Sequence, residues 1–295
     1  MTLSEVTTGH LRAAGLDPQE IRSLVRAALA EDLRYGLDVT TEATVLVDAI
    51  AEAAFRARPA GVVAGIPVAR AVLDEVLGAD GYKVLHSRGD GDMIMPGESA
   101  LSVHAPVRGL LTAERTALNL LCHLSGIATA TAEWVRAVEG TGCRIRDSRK
   151  TLPGLRVLQK YAVRCGGGVN HRMGLGDAML IKDNHVVAAG SVVAALRACR
   201  DHAPELPLEV EVSTLEELDE VLEEGAELVL LDNFTPQDCA DAVRRTKEIS
   251  PGTELEASGG LTLDVARTYA ETGVHFLAVG ALTHSSPALD IGLDM

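Results

Sequence analysis

The stretch ELEASGGLTLDVARTYAETGVHFLAVGAL, residues 254–282, decides the fold class of this 295-residue chain. An apolar run over Glu254–Ala257 ends in a loop of small residues, and a helical pattern follows over Leu263–Glu271. A second apolar run then covers Phe276–Val279. The order strand, helix, strand predicts two parallel strands joined by a crossover helix. This segment is therefore one unit of an α/β domain.

The same unit recurs through the second half of the chain. Six apolar runs predict strands, at Arg144–Asp147, Ala178–Ile181, Leu208–Val212, Leu228–Leu231, Glu254–Ala257 and Phe276–Val279. Helical patterns lie between them, at Val192–Arg200, Leu215–Glu223, Pro236–Lys247 and Leu263–Glu271. The alternation predicts a parallel sheet, and no Rossmann-type Gly-x-Gly-x-x-Gly follows a strand, which favours a barrel. A full barrel has eight strands, so six predict an incomplete one.

The pattern of the sequence before residue 118 predicts a separate mixed α/β domain. Its predicted elements are helices at Pro18–Glu31 and Pro67–Leu77, strands at Ala51–Arg58 and Gly61–Ala64, and a hairpin joining Met93–Ile94 to Leu101–Ala105. A long helix is predicted from Thr112 to about Val138. We predict an N-terminal domain over residues 1–117 and a barrel over residues 118–284, with the tail 285–295 packed back on the N-terminal domain.

Composition excludes several classes of protein. With 27 Lys and Arg against 42 Asp and Glu, the net charge is −15, which argues against nucleic acid or an anionic membrane as the main partner. No apolar run approaches the ~18–20 residues that span a bilayer, and the N-terminus does not resemble a secretory signal. The five cysteines stand far apart in sequence and are odd in number, which predicts reduced core thiols and a cytoplasmic location.

One part of this acidic chain is strongly basic. Residues 144–172 hold eight Lys or Arg and one Asp, a local charge of +7. Such a cluster in an acidic protein predicts a confined pocket for a small polyanion. A predicted helix and a glycine turn within the cluster bring His171 and Arg172 back towards Arg149 and Lys150.

Polar groups follow each predicted barrel strand, where the reactive groups of α/β barrels lie. They are Asp147, Ser148, Arg149, Lys150, Lys182, Asp183, Asn184, Glu211, Asp232, Asn233, Ser258, Gly259, Gly260 and Gly280–His284. The small-residue loops after the last two strands suit a phosphate. The two carboxylates Glu211 and Asp232 suit ribose hydroxyls, a Mg²⁺ held through water, or an acid–base pair of the glycosidase kind. Together with the basic cluster, which suits carboxylates and phosphates, these groups predict a site where a phosphosugar meets an organic acid.

The segment RDSRKTLPGLRVLQKYAVRCGGGVNHRMGLGDAMLIKDNH, residues 146–185, resembles the central motif of one enzyme family. This is the nicotinate-nucleotide pyrophosphorylase (carboxylating) family, also called the quinolinate phosphoribosyltransferase family. Six further segments match the family in the same order, namely EDLRYGLDVTT, LTAERTALNLLCHLSGIAT, LEVEV, LLDN, SGG and AVGALTHS. The resemblance runs from about residue 31 to the C-terminus. It implies an N-terminal α/β sandwich followed by an incomplete α/β barrel of six to seven strands, of the type II phosphoribosyltransferase kind.

The resemblance also implies an activity. Enzymes of this family transfer a phosphoribosyl group from phosphoribosyl pyrophosphate to quinolinate and release CO₂, giving nicotinate mononucleotide and pyrophosphate for de novo NAD synthesis. The chain is therefore expected to be a pentosyltransferase that uses Mg²⁺ and no organic cofactor. It is expected to form a homodimer or a higher homo-oligomer with active sites shared between subunits.

The resemblance implies a role for each candidate residue. The groups that bind the quinolinate dicarboxylate are Arg149, His171, Arg172 and Lys182. Lys150 faces phosphoribosyl pyrophosphate, and Glu211 and Asp232 contact its ribose hydroxyls and the metal, the metal through water or substrate. These three residues are the expected catalytic groups. The groups around phosphate are Ser258, Gly259, Gly280 and His284.

Arg115 is expected to enter the site of the partner subunit. The predicted helix from Thr112 places it in the first helical turn, where a cation is disfavoured by about 0.3–1 kcal/mol. A ligand carboxylate across a two-fold interface would account for that placement. The alternative is an ordinary surface ion pair, for example with Glu114.

Three other functions are weighed against this one. A Schiff-base aldolase could use Lys182 beside a phosphate loop. A phosphoribosyltransferase paralogue could act on another aromatic acid. A nucleic-acid surface over residues 144–172 is disfavoured by the overall charge of −15.

Overall fold

A computed structural model of the chain describes residues 2–295. Its elements in chain order are α1 (Glu5–Ala13), α2 (Pro18–Asp32), α3 (Val39–Thr44), β1 (Ile50–Ala57), β2 (Gly61–Val62), α4 (Ile66–Leu77), β3 (Lys83–Ser87), β4 (Met93–Ile94), β5 (Ser99–Pro106), α5 (Val107–Ala137), β6 (Arg144–Arg146), α6 (Arg156–Cys165), β7 (Met179–Ile181), α7 (Asp183–Ala189), α8 (Val192–His202), β8 (Leu208–Val212), α9 (Leu215–Glu223), β9 (Leu228–Asp232), α10 (Pro236–Ile249), β10 (Glu254–Ser258), α11 (Leu263–Ala270), β11 (Phe276–Ala278), α12 (Ala281–His284) and β12 (Ile291–Asp294).

These elements form two compact units. The N-terminal unit consists of the chain up to Ala132 together with Leu152–Gly167 and Ser285–Met295. The barrel unit consists of Glu133–Thr151 and Gly168–His284. The predicted boundary lies after residue 117, whereas the units divide after residue 132, because α5 runs through the predicted boundary without a break.

The N-terminal unit is built on an antiparallel sheet in the order β12-β1-β5-β3. The C-terminal strand β12 pairs with β1, with Phe55 opposite Leu293. The inner face of the sheet supplies core side chains such as Phe55, Leu101 and Val103, which are fully buried, as are most residues of α4. The predicted helices and strands at α2, β1, β2 and α4 are confirmed with shifts of one or two residues at their ends.

The predicted hairpin between Met93–Ile94 and Leu101–Ala105 is wrong. Strand β4 pairs instead with β2, and β5 lies between β1 and β3. Both hydrogen-bonding edges of β5 are therefore occupied, and no edge is left for β4. The turn near Pro96 connects the strands in sequence, but strand pairing is decided by partners farther along the chain.

Helix α5 begins at Val107 rather than at the predicted Thr112. The start directly follows Pro106, a residue that suits the entry to a helix but not its interior. With 3.6 residues per turn, Arg115 lies in the third turn of the helix and not in the first. The helix-dipole argument for its placement therefore does not hold.

The barrel unit contains all six predicted strands, each with bounds that differ from the prediction by at most one residue. They form one parallel sheet in the order β6-β11-β10-β9-β8-β7. The crossover helices α8, α9, α10 and α11 are confirmed, with starts at the predicted residues. Beside the edge strand β6, Val169 forms an isolated parallel bridge with Arg146. The predicted α/β class, with a six-stranded incomplete barrel after a separate N-terminal unit, is confirmed.

Within residues 2–295, no helix combines the length and the apolar character that a membrane crossing requires. The five cysteines are free thiols, and Cys143 and Cys239 are buried. Burial raises the pKa of both thiols to about 12. These two side chains are therefore protonated core groups at neutral pH.

Candidate active site

A cavity of about 770 Å³ lies at the carboxyl ends of the barrel strands. Eleven of the twelve predicted site residues line it, namely Arg149, Lys150, His171, Arg172, Lys182, Glu211, Asp232, Ser258, Gly259, Gly280 and His284. The twelfth, Arg115, is exposed on α5 in the N-terminal unit and is not among the lining residues. Parallel strands end on one side of a sheet, which is why groups far apart in sequence meet here.

Ser148, Gly260 and Ala281, which follow the predicted strands, also line the cavity. The lining residues that were not predicted from sequence are Leu180, Leu230, Glu256, Leu261, Ala278 and Val279. Four of them are strand residues that stand two residues before a predicted site residue: Leu180 before Lys182, Leu230 before Asp232, Glu256 before Ser258, and Ala278 before Gly280. Alternate residues of a strand face the same side. The sequence signal that could have found them is their position two residues before a predicted site residue at a strand end.

Two arginines form the cationic wall of the cavity. The Nη1 of Arg172 donates to the carbonyl oxygen of Ala178 at 3.1 Å. The Nε atoms of Arg149 and Arg172 are buried and have no hydrogen-bond partner. Burial, and then the neighbouring Arg149 charge, lower the pKa of Arg172. Buried donors without acceptors are costly, so this wall is complementary to an anionic ligand.

Lys182 and Glu211 form an ion pair at the mouth of the cavity. The lysine side chain is 46% exposed, while that of Glu211 is 12% exposed. A Schiff-base lysine acts as a neutral amine, and such lysines are desolvated or stand beside another cation. An exposed lysine paired with a carboxylate does not have that environment. The contact therefore does not favour the aldolase alternative.

The acidic edge of the cavity is held in place by a loop contact. The side-chain amide of Asn233 donates to Oδ2 of Asp232 at 2.8 Å, and the Asn233 backbone N–H donates to the carbonyl of Ser258. Gly259 follows with a φ of +109°, and a Cβ on it would lie 2.2 Å from Oδ1 of Asn233. Glycine is therefore required at 259 by backbone conformation and by this close approach.

A second close approach occurs at Gly280. A Cβ there would lie 3.0 Å from Cδ of Lys150, 3.3 Å from the Ser148 hydroxyl and 3.6 Å from Nε2 of His284. The hydroxyl of Thr283 donates to the backbone carbonyl of Lys150 at 2.8 Å and so ties the two loops together. A lysine, a histidine and a hydroxyl thus converge on one small-residue loop, which is a suitable set of groups for a phosphate.

A charged layer adjoins the cavity, and two of its members, His171 and Glu256, also line it. Nη1 of Arg146 is 2.6 Å from Oε2 of Glu256 and 3.6 Å from Oε1 of Glu209. Nε2 of His171 is 2.8 Å from Oε2 of Glu209. The donor atoms of His171, Glu209 and Glu256 lie within 4.8 Å of one another, a spacing that a metal ion could bridge. The guanidinium of Arg146 already supplies positive charge to both carboxylates, so we assign no metal to this layer.

Glu256 is the deepest acid of that layer. Its burial, and then the negative charge of Glu209, raise its pKa to about 8, while Arg146 opposes the shift. An acid whose pKa is higher in the folded state than in the unfolded state binds more protons when folded. Between the unfolded value of 4.5 and the folded value, the fold therefore loses stability as pH rises.

We expect Glu256→Gln to remove this loss, because glutamine fills the same volume and carries no charge. The stability of the variant relative to the unchanged protein should rise from pH 5 to pH 9, by on the order of 3 kcal/mol. Melting temperatures measured across this pH range test the expectation. The matched control is Glu254→Gln, a half-exposed carboxyl on the same strand, which should follow the parent protein. Parallel pH profiles for Glu256→Gln and the parent would contradict the assigned shift.

Comparison with known proteins matches both units of the chain. The family described as "Quinolinate phosphoribosyl transferase, C-terminal domain" matches residues 127–294, and the corresponding N-terminal domain family matches residues 38–125. The nicotinate-nucleotide pyrophosphorylase [carboxylating] of Mycobacterium leprae is 61% identical over 93% of this chain and 96% of its own length. A probable enzyme of the same name from Bacillus subtilis is 40% identical over 94% and 93%. The solved nicotinate-nucleotide pyrophosphorylase from Francisella tularensis superposes with a TM-score of 0.87 at 36% identity, over 94% of this chain and 96% of that one.

Proposed function

The chain belongs to the quinolinate phosphoribosyltransferase family, and from this we infer that it catalyses the carboxylating pyrophosphorylase reaction of de novo NAD synthesis. In the direction of synthesis it transfers the phosphoribosyl group of phosphoribosyl pyrophosphate to quinolinate. The products are nicotinate mononucleotide, pyrophosphate and CO₂. One observation carries this function: the barrel cavity joins two arginines whose buried Nε atoms lack acceptors to a small-residue loop with a lysine and a histidine.

The cationic wall supports a role in binding quinolinate. Arg149 and Arg172 offer planar donors that match a carboxylate, and their unpaired Nε atoms supply buried hydrogen-bond donors. Lys182 adds an exposed ammonium at the mouth of the same cavity. Two carboxylates bring two negative charges, which these three cations would balance.

The two small-residue loops of the cavity support a role in binding phosphoribosyl pyrophosphate. Lys150, Ser148 and His284 surround Gly280, and Ser258 and Gly259 begin the neighbouring loop. We assign the phosphate groups to these two loops. We place the ribose beside Glu211 and Asp232, whose carboxylates can accept hydrogen bonds from its hydroxyls.

The proposed reaction proceeds at the ribose C1 atom. The quinolinate nitrogen forms a bond to C1 while the bond from C1 to the pyrophosphate oxygen breaks, and that oxygen keeps the electron pair. Glu211 and Asp232 stabilise the positive charge that develops on the ribose. In the resulting pyridinium, the ring nitrogen accepts electron density from the adjacent C–C bond as CO₂ leaves, and a proton takes the place of the carboxylate. The side chains of the chain bind, orient and balance charge, and none is required as a covalent nucleophile.

The acidic edge of the cavity fits a magnesium ion that arrives with its phosphate ligands. Magnesium prefers oxygen ligands and commonly combines one or two carboxylates with substrate phosphates and waters. Glu211 and Asp232 provide carboxylates at the cavity, but Glu211 is paired with Lys182 and Asp232 accepts from Asn233. We therefore propose that their contact with the metal runs through water or substrate. When bound, Mg²⁺ neutralises the pyrophosphate leaving group.

We propose a homodimer, or a higher oligomer built from it, with Arg115 donated to the partner's cavity. The segment around α3 exposes large apolar side chains, including Tyr35 at 94%, Leu46 at 75% and Val47 at 78% of full exposure. Clustered exposed apolar residues mark interaction surfaces. Arg115 is itself exposed on α5. The cytoplasmic location inferred from the cysteines stays a prediction.

Incubation of the purified chain with quinolinate, phosphoribosyl pyrophosphate and Mg²⁺ tests the proposed function. We expect CO₂ and nicotinate mononucleotide in equal amounts, and no product when EDTA removes the metal. The competing aldolase function predicts borohydride-trapped sugar phosphate on Lys182 instead. Trapping without CO₂ release would contradict the proposal, as would transfer to another aromatic acid with quinolinate left unchanged.

A further inference from the structure

Asn233 has an unusual backbone conformation at the edge of the cavity. It follows Asp232, the last residue of β9, and it does not itself line the cavity. Its φ is +59°, and among residues 2–295 it is the single residue other than glycine with a positive φ. Asparagine enters this left-handed region more readily than most residues, but non-glycine residues held there cluster at functional sites. The conformation therefore points to a role of Asn233 in the site.

The backbone of Asn233 contacts the neighbouring strand end. Its N–H donates to the carbonyl oxygen of Ser258, the last residue of β10, at 2.8 Å. Ser258 lies opposite Asp232 in the parallel register of β9 and β10. The bond therefore extends the contact between the two strands by one residue past their ends, where the loop around Gly259 begins.

The side chain of Asn233 contacts a group on each side. Its amide nitrogen donates to Oδ2 of Asp232 at 2.8 Å. A carboxylate only accepts hydrogen bonds, so the nitrogen faces Asp232 and Oδ1 faces the other way. That oxygen lies against Gly259, where an added Cβ would collide with it and would be 2.8 Å from Cγ of Asn233. One carboxamide thus contacts both the carboxylate assigned to the ribose and the loop assigned to phosphate.

We propose that Asn233 is a positioning residue, which holds the Asp232 carboxylate against the Ser258–Gly260 loop so that the ribose and phosphate subsites keep a fixed spacing. Asp232 and the loop line the cavity, whereas Asn233 acts only through them. The kinetic consequence rests on the function proposed above, since it concerns phosphoribosyl pyrophosphate. The geometric consequence does not, because it concerns the unliganded chain.

Crystal structures of the unliganded parent and of Asn233→Asp, both at about pH 8 so that carboxyl groups are ionised, test the geometric consequence. Aspartate has the size of asparagine and also tolerates the left-handed region, but it lacks the N–H and places a second carboxylate beside Asp232. We expect the Asp232 carboxylate to turn away from residue 233 and the Ser258–Gly260 loop to shift or lose order. An Asp232 side chain and a loop that superpose on the parent would overturn the proposal whether or not the chain is active.

Initial rates with each substrate varied in turn test the kinetic consequence. Asn233→Asp should raise the Michaelis constant for phosphoribosyl pyrophosphate about tenfold to a hundredfold, the effect of losing one hydrogen bond to a charged group. Asn233→Gly adopts the positive φ at no steric cost but lacks the donor, so its constant should rise by about threefold to tenfold. The constant for quinolinate should change by no more than about twofold in both variants, because such a change removes binding to one substrate only.

Gly259→Ala disturbs the same contact from the other side. In the parent the added Cβ would collide with Oδ1 of Asn233, whereas in Asn233→Gly that oxygen is absent. Alanine at 259 should therefore raise the constant for phosphoribosyl pyrophosphate by a larger factor in the parent than in the Asn233→Gly background. The strain of a positive φ at 259 is common to both backgrounds and cancels in this comparison. Equal factors would mean that the two residues act independently, which would contradict the positioning role.

The matched control is Gln237→Glu. Gln237 is an exposed residue of α10 whose Nε2 donates to Oδ2 of Asp241 at 3.4 Å, and it does not line the cavity. The change also turns an amide beside an aspartate into a carboxylate, and it should leave both constants near the parent values. If Asn233→Asp does not fold, Asn233→Gly and its coupling to Gly259→Ala remain decisive. Equal rises in both Michaelis constants in a folded Asn233 variant would show a merely structural role and would overturn the proposal.

Discussion

We expect replacement of Arg149 or Arg172 by alanine to raise the Michaelis constant for quinolinate by roughly thirty-fold to several thousand-fold and to leave that for phosphoribosyl pyrophosphate within a few-fold of the parent value. The range corresponds to the ~2–5 kcal/mol lost when one side of a buried, hydrogen-bonded charge pair is removed. Both guanidinium groups line the cavity with a buried Nε that lacks an acceptor, so a ligand carboxylate would be left without its partner. Initial rates measured with each substrate varied in turn give the two constants.

The matched control for this pair is Arg144→Ala. Arg144 is an exposed arginine at the start of β6, with its guanidinium carbon 4.5 Å from the ring centre of Phe276, and it does not line the cavity. Both constants should stay close to the parent values in this variant. If Arg149→Ala and Arg172→Ala weakened both substrates alike, the two arginines would be structural, and the cavity would lose its assignment as the quinolinate site.

Mixing two inactive variants, Arg115→Ala and Lys182→Ala, restores up to roughly a quarter of the parent activity if the active sites are shared. Random exchange puts half of the chains into mixed dimers. In each mixed dimer one cavity has its own Lys182 and receives Arg115 of the partner subunit, while the other cavity lacks both. Half of the sites in half of the dimers are therefore intact. The exposure of Arg115, and its absence from the cavity lining, motivate the experiment.

The control for the mixing experiment is the pair Arg149→Ala and Lys182→Ala. Both residues line the cavity of the same barrel unit, so every site in a mixed dimer lacks one of them and no activity should return. Subunit exchange is verified with differently tagged chains. Failure of Arg115→Ala to complement Lys182→Ala after verified exchange would show that Arg115 serves its own chain or forms the surface ion pair considered from sequence.

The strand-end residues were predictable because their placement follows from local pattern and one rule of topology. Apolar runs locate the strands, parallel pairing aligns their carboxyl ends, and the polar residues that follow must then meet. Arg146, Glu209 and Glu256 lie on predicted barrel strands, so their positions follow from the same strand pattern. Charged residues inside strands are ordinarily interpreted as facing solvent, so the pattern alone does not indicate that these three are buried. Their burial becomes evident only when the barrel encloses them beside one another.

Other features depend on contacts that no local pattern specifies. The pairing of β4 with β2 instead of β5 was set by competition among distant strand edges. The ring contacts of His171 include a group far away in sequence: Nδ1 accepts from the backbone N–H of Arg172, and Nε2 lies 2.8 Å from Oε2 of Glu209. A histidine within a basic motif is naturally interpreted as a ligand for an anion. The role of His171 as a quinolinate ligand stays a prediction.

The most direct test of the account compares quinolinate with nicotinate as acceptors under identical conditions, with phosphoribosyl pyrophosphate and Mg²⁺ in excess. The cavity gathers Arg149, Arg172 and Lys182, which is more positive charge than a monoacid requires. We predict turnover of quinolinate with one CO₂ released per nicotinate mononucleotide formed, and little or no transfer to nicotinate. Equal turnover of the two acids would contradict the assignment of this cavity to a dicarboxylate.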